Sequence, residues 1–152
     1  MPSPEPLVVF RRVPATLQRE EIERFGQSIS GKFRLDFTCL ITGDSEPRRL
    51  NRQFRGKNKA TDVLSFPVAE DSAKPGTLKQ QVRKAGGGFL GDIAIAPKVA
   101  RRNAKELERQ LPQELKVLIL HGVLHLLGYD HETDRGEMER IEMRLRRKLG
   151  IA

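Results

Sequence analysis

From Val117 to Leu127 the chain is apolar at every position except two histidines, His121 and His125, and one glycine, Gly122. Pro112 suits the first turn of a helix and Gly128 can take the left-handed conformation that ends one, so the segment predicts a helix from Pro112 to Leu127, buried nearly all round. It is too short and too interrupted to cross a bilayer, which takes about 18 uninterrupted apolar residues. So apolar a helix belongs in the core of a soluble protein, packed against the other elements of the chain. A length of 152 residues leaves room for one such unit, and 1–152 is read as a single domain.

The covering elements follow from periodicity. Leu7 to Phe10 reads as a short strand, and Thr16 to about Ser28 as a helix. From Phe33 the pattern alternates strictly, with Phe33, Leu35, Phe37, Cys39 and Ile41 on one face, which predicts a half-buried strand. Asp44 or Ser45 can cap a short helix with Pro47 in its first turn, and Leu50 and Phe54 on its inner face. Val63–Val68 and Phe89–Ile95 read as paired strands joined by a long mobile loop containing Pro75 and three consecutive glycines, Gly86 to Gly88. Pro97 opens a helix to about Gln110, and Thr133 to Leu149 forms a last one with Met138, Ile141 and Leu145 inward. Strands with helices gathered in the C-terminal half predict an α+β fold with a small mixed sheet and about five helices.

All three histidines of the chain fall within eleven residues, at 121, 125 and 131. Residues four apart share a helix face, so His121 and His125 can aim ring nitrogens at one point about 2.0–2.1 Å from each, and a turn at Gly128 can bring His131 back to it. Three neutral nitrogens leave a fourth position open, the pattern of a catalytic rather than a structural zinc. Nickel, copper or iron are also compatible with imidazole ligands. The one cysteine, Cys39, lies on a distant strand; being alone it can form no internal disulfide, which points to a reducing compartment. The histidine spacing resembles the H-E-x-x-H-x-x-G-x-x-H motif of metzincin peptidases. Gly122, however, stands where those enzymes carry the glutamate that activates water, so proteolysis by that route is not expected.

A closer resemblance extends from about Arg34 to Arg147. The block His121-Gly-Val-Leu-His125-Leu-Leu-Gly-Tyr-Asp130-His131 is similar to H-G-x-L-H-L-x-G-Y-D-H of the bacterial YbeY family of endoribonucleases and rRNA maturation factors. Thr61-Asp62-Val63-Leu64-Ser65-Phe66-Pro67 and Leu90-Gly91-Asp92-Ile93 resemble two further family blocks, and Arg55 follows Leu50-Asn51 where the family has an arginine. Asn58 and Ala60 replace an expected acid and proline, and the loop from Ala69 to Gly88 is long. The resemblance implies a zincin-like fold with a metal site on a helix of the C-terminal half. It implies one metal ion on His121, His125 and His131, for which imidazole ligation makes zinc the first choice, and Arg55 engaging phosphate. It also implies single-strand-specific cleavage in rRNA processing, at the 3′ end of small-subunit rRNA, and in ribosome quality control. The partners it implies are rRNA, the small ribosomal subunit, a ribosomal protein of that subunit and an assembly GTPase.

Charge agrees with that partner. The chain carries 28 Lys and Arg against 20 Asp and Glu, a net +8, and between Asp44 and Lys59 six basic residues face two acids. Basic residues displace counterions from phosphates, and a guanidinium beside a divalent ion suits the charge that develops on a phosphodiester. Asp92, Asp130 and Glu132 are candidate bases or partners of a ligand imidazole. Thr61, Asp62 and Ser65 are candidates for a turn that fixes a strand beside the metal. Two other readings fit the same residues: a non-catalytic ribosome-assembly factor with a structural zinc, and a metal-dependent hydrolase of another substrate. Residues 1–6 lack the basic start and apolar run of a signal peptide, so a cytoplasmic location without membrane attachment is expected.

Overall fold

A computed structural model describes residues 7–11, 18–42, 63–67, 74–130 and 134–151. They form four strands, β1 (Val8–Arg11), β2 (Asp36–Thr42), β3 (Val63–Pro67) and β4 (Phe89–Ile95), in one sheet ordered β1-β2-β4-β3. β2 pairs in parallel with β1 and β4, and β3 runs antiparallel to β4 at the edge. Five helices accompany them among the described residues: α1 (Arg19–Phe33), α2 (Leu78–Ala85), α3 (Pro97–Glu106), α4 (Leu111–Leu126) and α5 (Glu137–Lys148). The α+β architecture with a small mixed sheet is as expected.

The alternation that predicts β2 holds at Phe37, Cys39 and Ile41, all fully buried. Phe33 departs from it. It is the last residue of α1, which runs five residues past Ser28. Arg34 then turns the chain in the left-handed conformation, its N–H donating to the Ser30 carbonyl. Leu35 stays buried in the link and the strand starts at Asp36. β-Branched and aromatic content marked β3 and β4, and these two do pair. α3 stops at Glu106, short of Gln110, ahead of Glu108 with its positive φ.

The predicted mobile loop needs a larger correction. Residues 78–85 within it are helical, and both ends are specified locally. Thr77 Oγ1 accepts from the Gln80 N–H while Gln80 Oε1 accepts from the Thr77 N–H, a reciprocal cap, and Gly86 closes the helix in the left-handed conformation. The short helix predicted around Leu50 and Phe54 lies outside the described residues.

One row of the sheet organises the core. Val8, Cys39, Ile93 and Ser65 are successive cross-strand partners from β1 to β3. α1 approaches this row through Gly26, where a Cβ would lie 2.8 Å from Val8 Cγ2, and α4 approaches it through Gly122 beside Ile93. α4 is buried nearly all round, as its composition requires: Leu115, Ile119, Leu120 and Val123 are inaccessible, and the buried Glu114 is paired with Arg109 at 3.0 Å. Lys116 Nζ to Glu21 Oε1, 2.6 Å, ties α4 to α1. α5 sets Met138, Ile141 and Leu145 inward, and Asp134 opens it by accepting the Gly136 and Met138 N–H groups. Among the described residues no helix is long and apolar enough to cross a membrane.

Candidate metal centre

His121 and His125 stand one turn apart on α4, their Nε2 atoms 3.1 Å from each other and their rings nearly perpendicular, at 80°. The other nitrogen of each ring is committed elsewhere. His121 Nδ1 donates to Glu142 Oε1 of α5 at 2.6 Å, and His125 Nδ1 donates to the Tyr129 carbonyl at 2.9 Å. A carbonyl can only accept, so the proton of a neutral His125 sits on Nδ1 and its Nε2 presents a lone pair. The Glu142 carboxylate, which only accepts when ionised, favours the same tautomer at His121.

This donor set fits a metal ion. Two bonds of about 2.0–2.1 Å meeting at roughly 100–110° separate their nitrogens by about 3.1–3.4 Å, which includes the spacing found here. An acidic side chain or a main-chain carbonyl on the far nitrogen is the usual support of a ligating imidazole. Among the described residues no three His, Cys, Asp or Glu side chains gather into one cluster. The third predicted ligand, His131, lies outside the described residues, as does Arg55. Cys39 is fully buried on β2, and burial pushes its thiol far above the ordinary value, so it is inert as a ligand.

Gly122, between the two histidines, has a steric reason to be glycine. A Cβ there would lie 2.9 Å from both Cδ1 and Cγ2 of Ile93, so the position that carries glutamate in the peptidase motif is filled by the sheet. Ser65 Oγ donates to the Gly122 carbonyl at 3.4 Å and ties β3 to the helix that carries the two histidines, from mid-strand rather than from the turn that the sequence suggests. Thr61, Asp62 and Glu132 lie outside the described residues. Asp92 is exposed on the face of β4 opposite Ile93, so strand alternation turns it away from the pair. Asp130 is exposed at the start of the link to α5.

Sequence reasoning missed Glu142. Its signal was helical phase: it is four residues after Met138 and three before Leu145, on the flank of the buried stripe of α5. Gln81 of α2 was missed with its helix. Its Nε2 donates to the Leu127 carbonyl at 2.7 Å, and the Tyr129 hydroxyl donates to the Gly76 carbonyl at 2.8 Å. Burial pushes the Tyr129 hydroxyl above its ordinary value, partly opposed by the Arg144 guanidinium.

Comparison with known proteins gives this geometry a family. The model of the family "Endoribonuclease YbeY" matches residues 12–150. The protein of that name from Solibacter usitatus is 49% identical over 154 residues, covering 99% of this chain and 93% of its own. The one from Aquifex aeolicus is 40% identical over 129 residues, covering 82% and 76%. The solution structure of TM1509 from Thermotoga maritima superposes with a TM-score of 0.59 at 23% identity, over 93% of this chain and 88% of that one, a likeness of fold. The chain therefore belongs to the endoribonuclease YbeY family.

Proposed function

We propose that this chain is a metal-dependent, single-strand-directed endoribonuclease of rRNA processing, acting in maturation of the small-subunit rRNA 3′ end and in ribosome quality control. The observation that carries the reading is the converging His121–His125 pair, with each Nδ1 held by a separate acceptor, in a chain whose relatives are named endoribonucleases. His121, His125 and His131 hold one ion, with zinc the first choice for three imidazoles. This is a zincin-like arrangement with the site on a helix of the C-terminal half. Bound there, a divalent ion supplies Lewis-acid stabilisation of the charge that develops on a phosphodiester.

The chain's own groups do the rest. Glu142 and the Tyr129 carbonyl hold the two rings in the tautomer that turns both Nε2 atoms to one point. Arg55 engages phosphate oxygens through its two-pronged guanidinium. Helix α2, anchored next to the metal helix, adds Lys79, Arg83 and Lys84 on its exposed side. Residues 74–88 contain four basic residues and no acid, so this segment accounts for part of the net charge left over from the Asp44–Lys59 stretch. The cytoplasmic compartment, a ribosomal protein of the small subunit and an assembly GTPase complete the reading.

The test is RNA cleavage by protein freed of contaminating nucleases, with metal content measured on the same samples. The wild type should contain about one transition-metal ion per chain and cut single-stranded RNA. His125→Ala should lose both metal and cleavage, and Arg55→Ala should keep metal and lose cleavage. Equal cleavage by all three would refute the proposal, and a metal-loaded wild type that never cuts would favour the assembly-factor reading.

A further inference from the structure

We infer that Gln81 is a positioning residue for the metal centre, acting from α2 through the turn that follows the metal helix; the inference rests on the metal reading of His121 and His125. Two hydrogen bonds join segment 76–81 to turn 127–129, and they run in opposite directions. Gln81 Nε2 donates to the Leu127 carbonyl at 2.7 Å, and the Tyr129 hydroxyl donates back to the Gly76 carbonyl at 2.8 Å. A third closes the ring: the Gly76 N–H donates to Gln81 Oε1 at 3.0 Å. Gln81 therefore uses both ends of its amide in one circuit, an arrangement no carboxylate or aliphatic side chain can reproduce.

The turn inside this clasp bears on the metal centre at two points. Its Tyr129 carbonyl accepts from His125 Nδ1 and so sets the tilt of that ring. It is also the stretch through which the chain leaves α4 toward residue 131. The last carbonyls of a helix have no partner within it, and at Leu127 Gln81 supplies one. Gly128 is the joint. Its φ of +108° belongs to glycine, and a Cβ there would approach Gln81 Nε2 to 3.2 Å, so turn and side chain are fitted to each other. α2 has its own reasons to stay in place, since Thr77 and Gln80 cap it and Leu78, Val82 and Ala85 pack on the core. Gln81 is thus free of the duty of holding its own helix together.

Zinc and cobalt(II) binding by the full-length protein test this. Gln81→Glu keeps an acceptor for the Gly76 N–H but has nothing to donate to Leu127. Gln81→Leu loses both bonds, and Tyr129→Phe removes the hydroxyl while leaving the carbonyl that holds His125. Each variant should bind Zn2+ about tenfold more weakly, the low end of what outer partners of metal ligands are worth. Gln81→Leu with Tyr129→Phe should be little worse than either alone, because both open the same ring. The visible spectrum of the cobalt form should change in all of them, since it reports ligand geometry. The melting temperature of the metal-free protein separates positioning from packing. Unchanged zinc affinity and cobalt spectrum, with only a lower melting temperature, would overturn the inference and leave α2 as a cover for the core. A wild type that binds neither ion would overturn the metal reading, and the inference with it.

Discussion

Gly122→Ala probes the fit between α4, the helix of His121 and His125, and the sheet. The new Cβ would stand 2.9 Å from Cδ1 and Cγ2 of Ile93 and 3.1 Å from its Cγ1. All three atoms belong to one β-branched side chain that is 1% exposed, so rotating Cδ1 away does not clear Cγ2. Overpacking of this kind costs about 1–3 kcal/mol, set against about 1 kcal/mol that alanine gains over glycine inside a helix. The variant should therefore lose about 1 kcal/mol. Ile93→Ala removes all three opposing atoms at its own cost of about 2–5 kcal/mol. In that background Gly122→Ala should instead stabilise by about 1 kcal/mol through helix propensity. The two substitutions are then coupled by about 2 kcal/mol, well above the roughly 0.3–0.5 kcal/mol scatter of independent sites. Urea unfolding of the four proteins measures this as shifts in midpoint at constant slope. Ile93→Val, which deletes Cδ1 alone, should give partial relief. If Gly122→Ala costs the same whether residue 93 is Ile or Ala, the contact is not what keeps position 122 small, and the steric account of the missing glutamate fails.

Other perturbations reach different parts of the molecule. Glu142→Ala should weaken zinc binding about 10- to 100-fold, and Glu142→Gln less, because its Oε1 still accepts from His121 Nδ1; competition against a chelator measures both. Replacing Lys79, Arg83 and Lys84 by Gln should lower the slope of log affinity against log salt for single-stranded RNA by about 0.7 for each phosphate no longer neutralised, up to about 2. An unchanged slope would make the outer side of α2 a merely solvated face. For Cys39, burial raises the folded-state pKa above its ordinary 9.0. Its contribution is then complete below pH 9.0 and falls as pH rises above it, since only the unfolded chain ionises there. Cys39→Ala should flatten the alkaline decline in stability, and a thiol reagent should label the wild type only as fast as it unfolds.

How much could be read in advance follows from how local each signal is. The burial of α4, the turn at Gly128 and the inward face of β2 were legible because each is written in adjacent residues. α2 was equally local, in Thr77, Gln80 and Gly86, but three glycines in a row and Pro75 masked it as a loop. Phe33 misled because a strand period and a helix end share it; only the left-handed Arg34 separates them. For the site, the spacing of His121 and His125 foretold their convergence, since it depends on helix geometry alone. Glu142 and Gln81 were not foretold, because each meets the histidine turn from a separate helix and long-range packing leaves no spacing rule to find. The placing of Asp92, a candidate base or imidazole partner in the sequence, was hidden for the same reason: its register beside Ile93 puts it on the exposed face of β4.

The polar exceptions on α4 and its following turn form a sequence of their own. His121 is met by Glu142 of α5, the Gly122 carbonyl by Ser65 of β3, the His125 ring by the Tyr129 carbonyl, and the Leu127 carbonyl by Gln81 of α2. On a helix buried nearly all round, the fully buried polar groups need a protein partner, while the partly exposed ones can also turn to water. Two of these partners, Glu142 and the Tyr129 carbonyl, also hold the two rings. Stability and metal affinity should therefore part company according to exposure. Glu142 and His121 keep 15% and 24% of their side-chain surface, so water can replace a missing partner there, and a substitution falls mainly on metal binding. The Gly122 carbonyl and Ser65 are buried, so Ser65→Ala should cost folding stability of about 1 kcal/mol while leaving zinc affinity nearly unchanged. A Ser65→Ala protein of normal stability with weakened zinc binding would contradict this division.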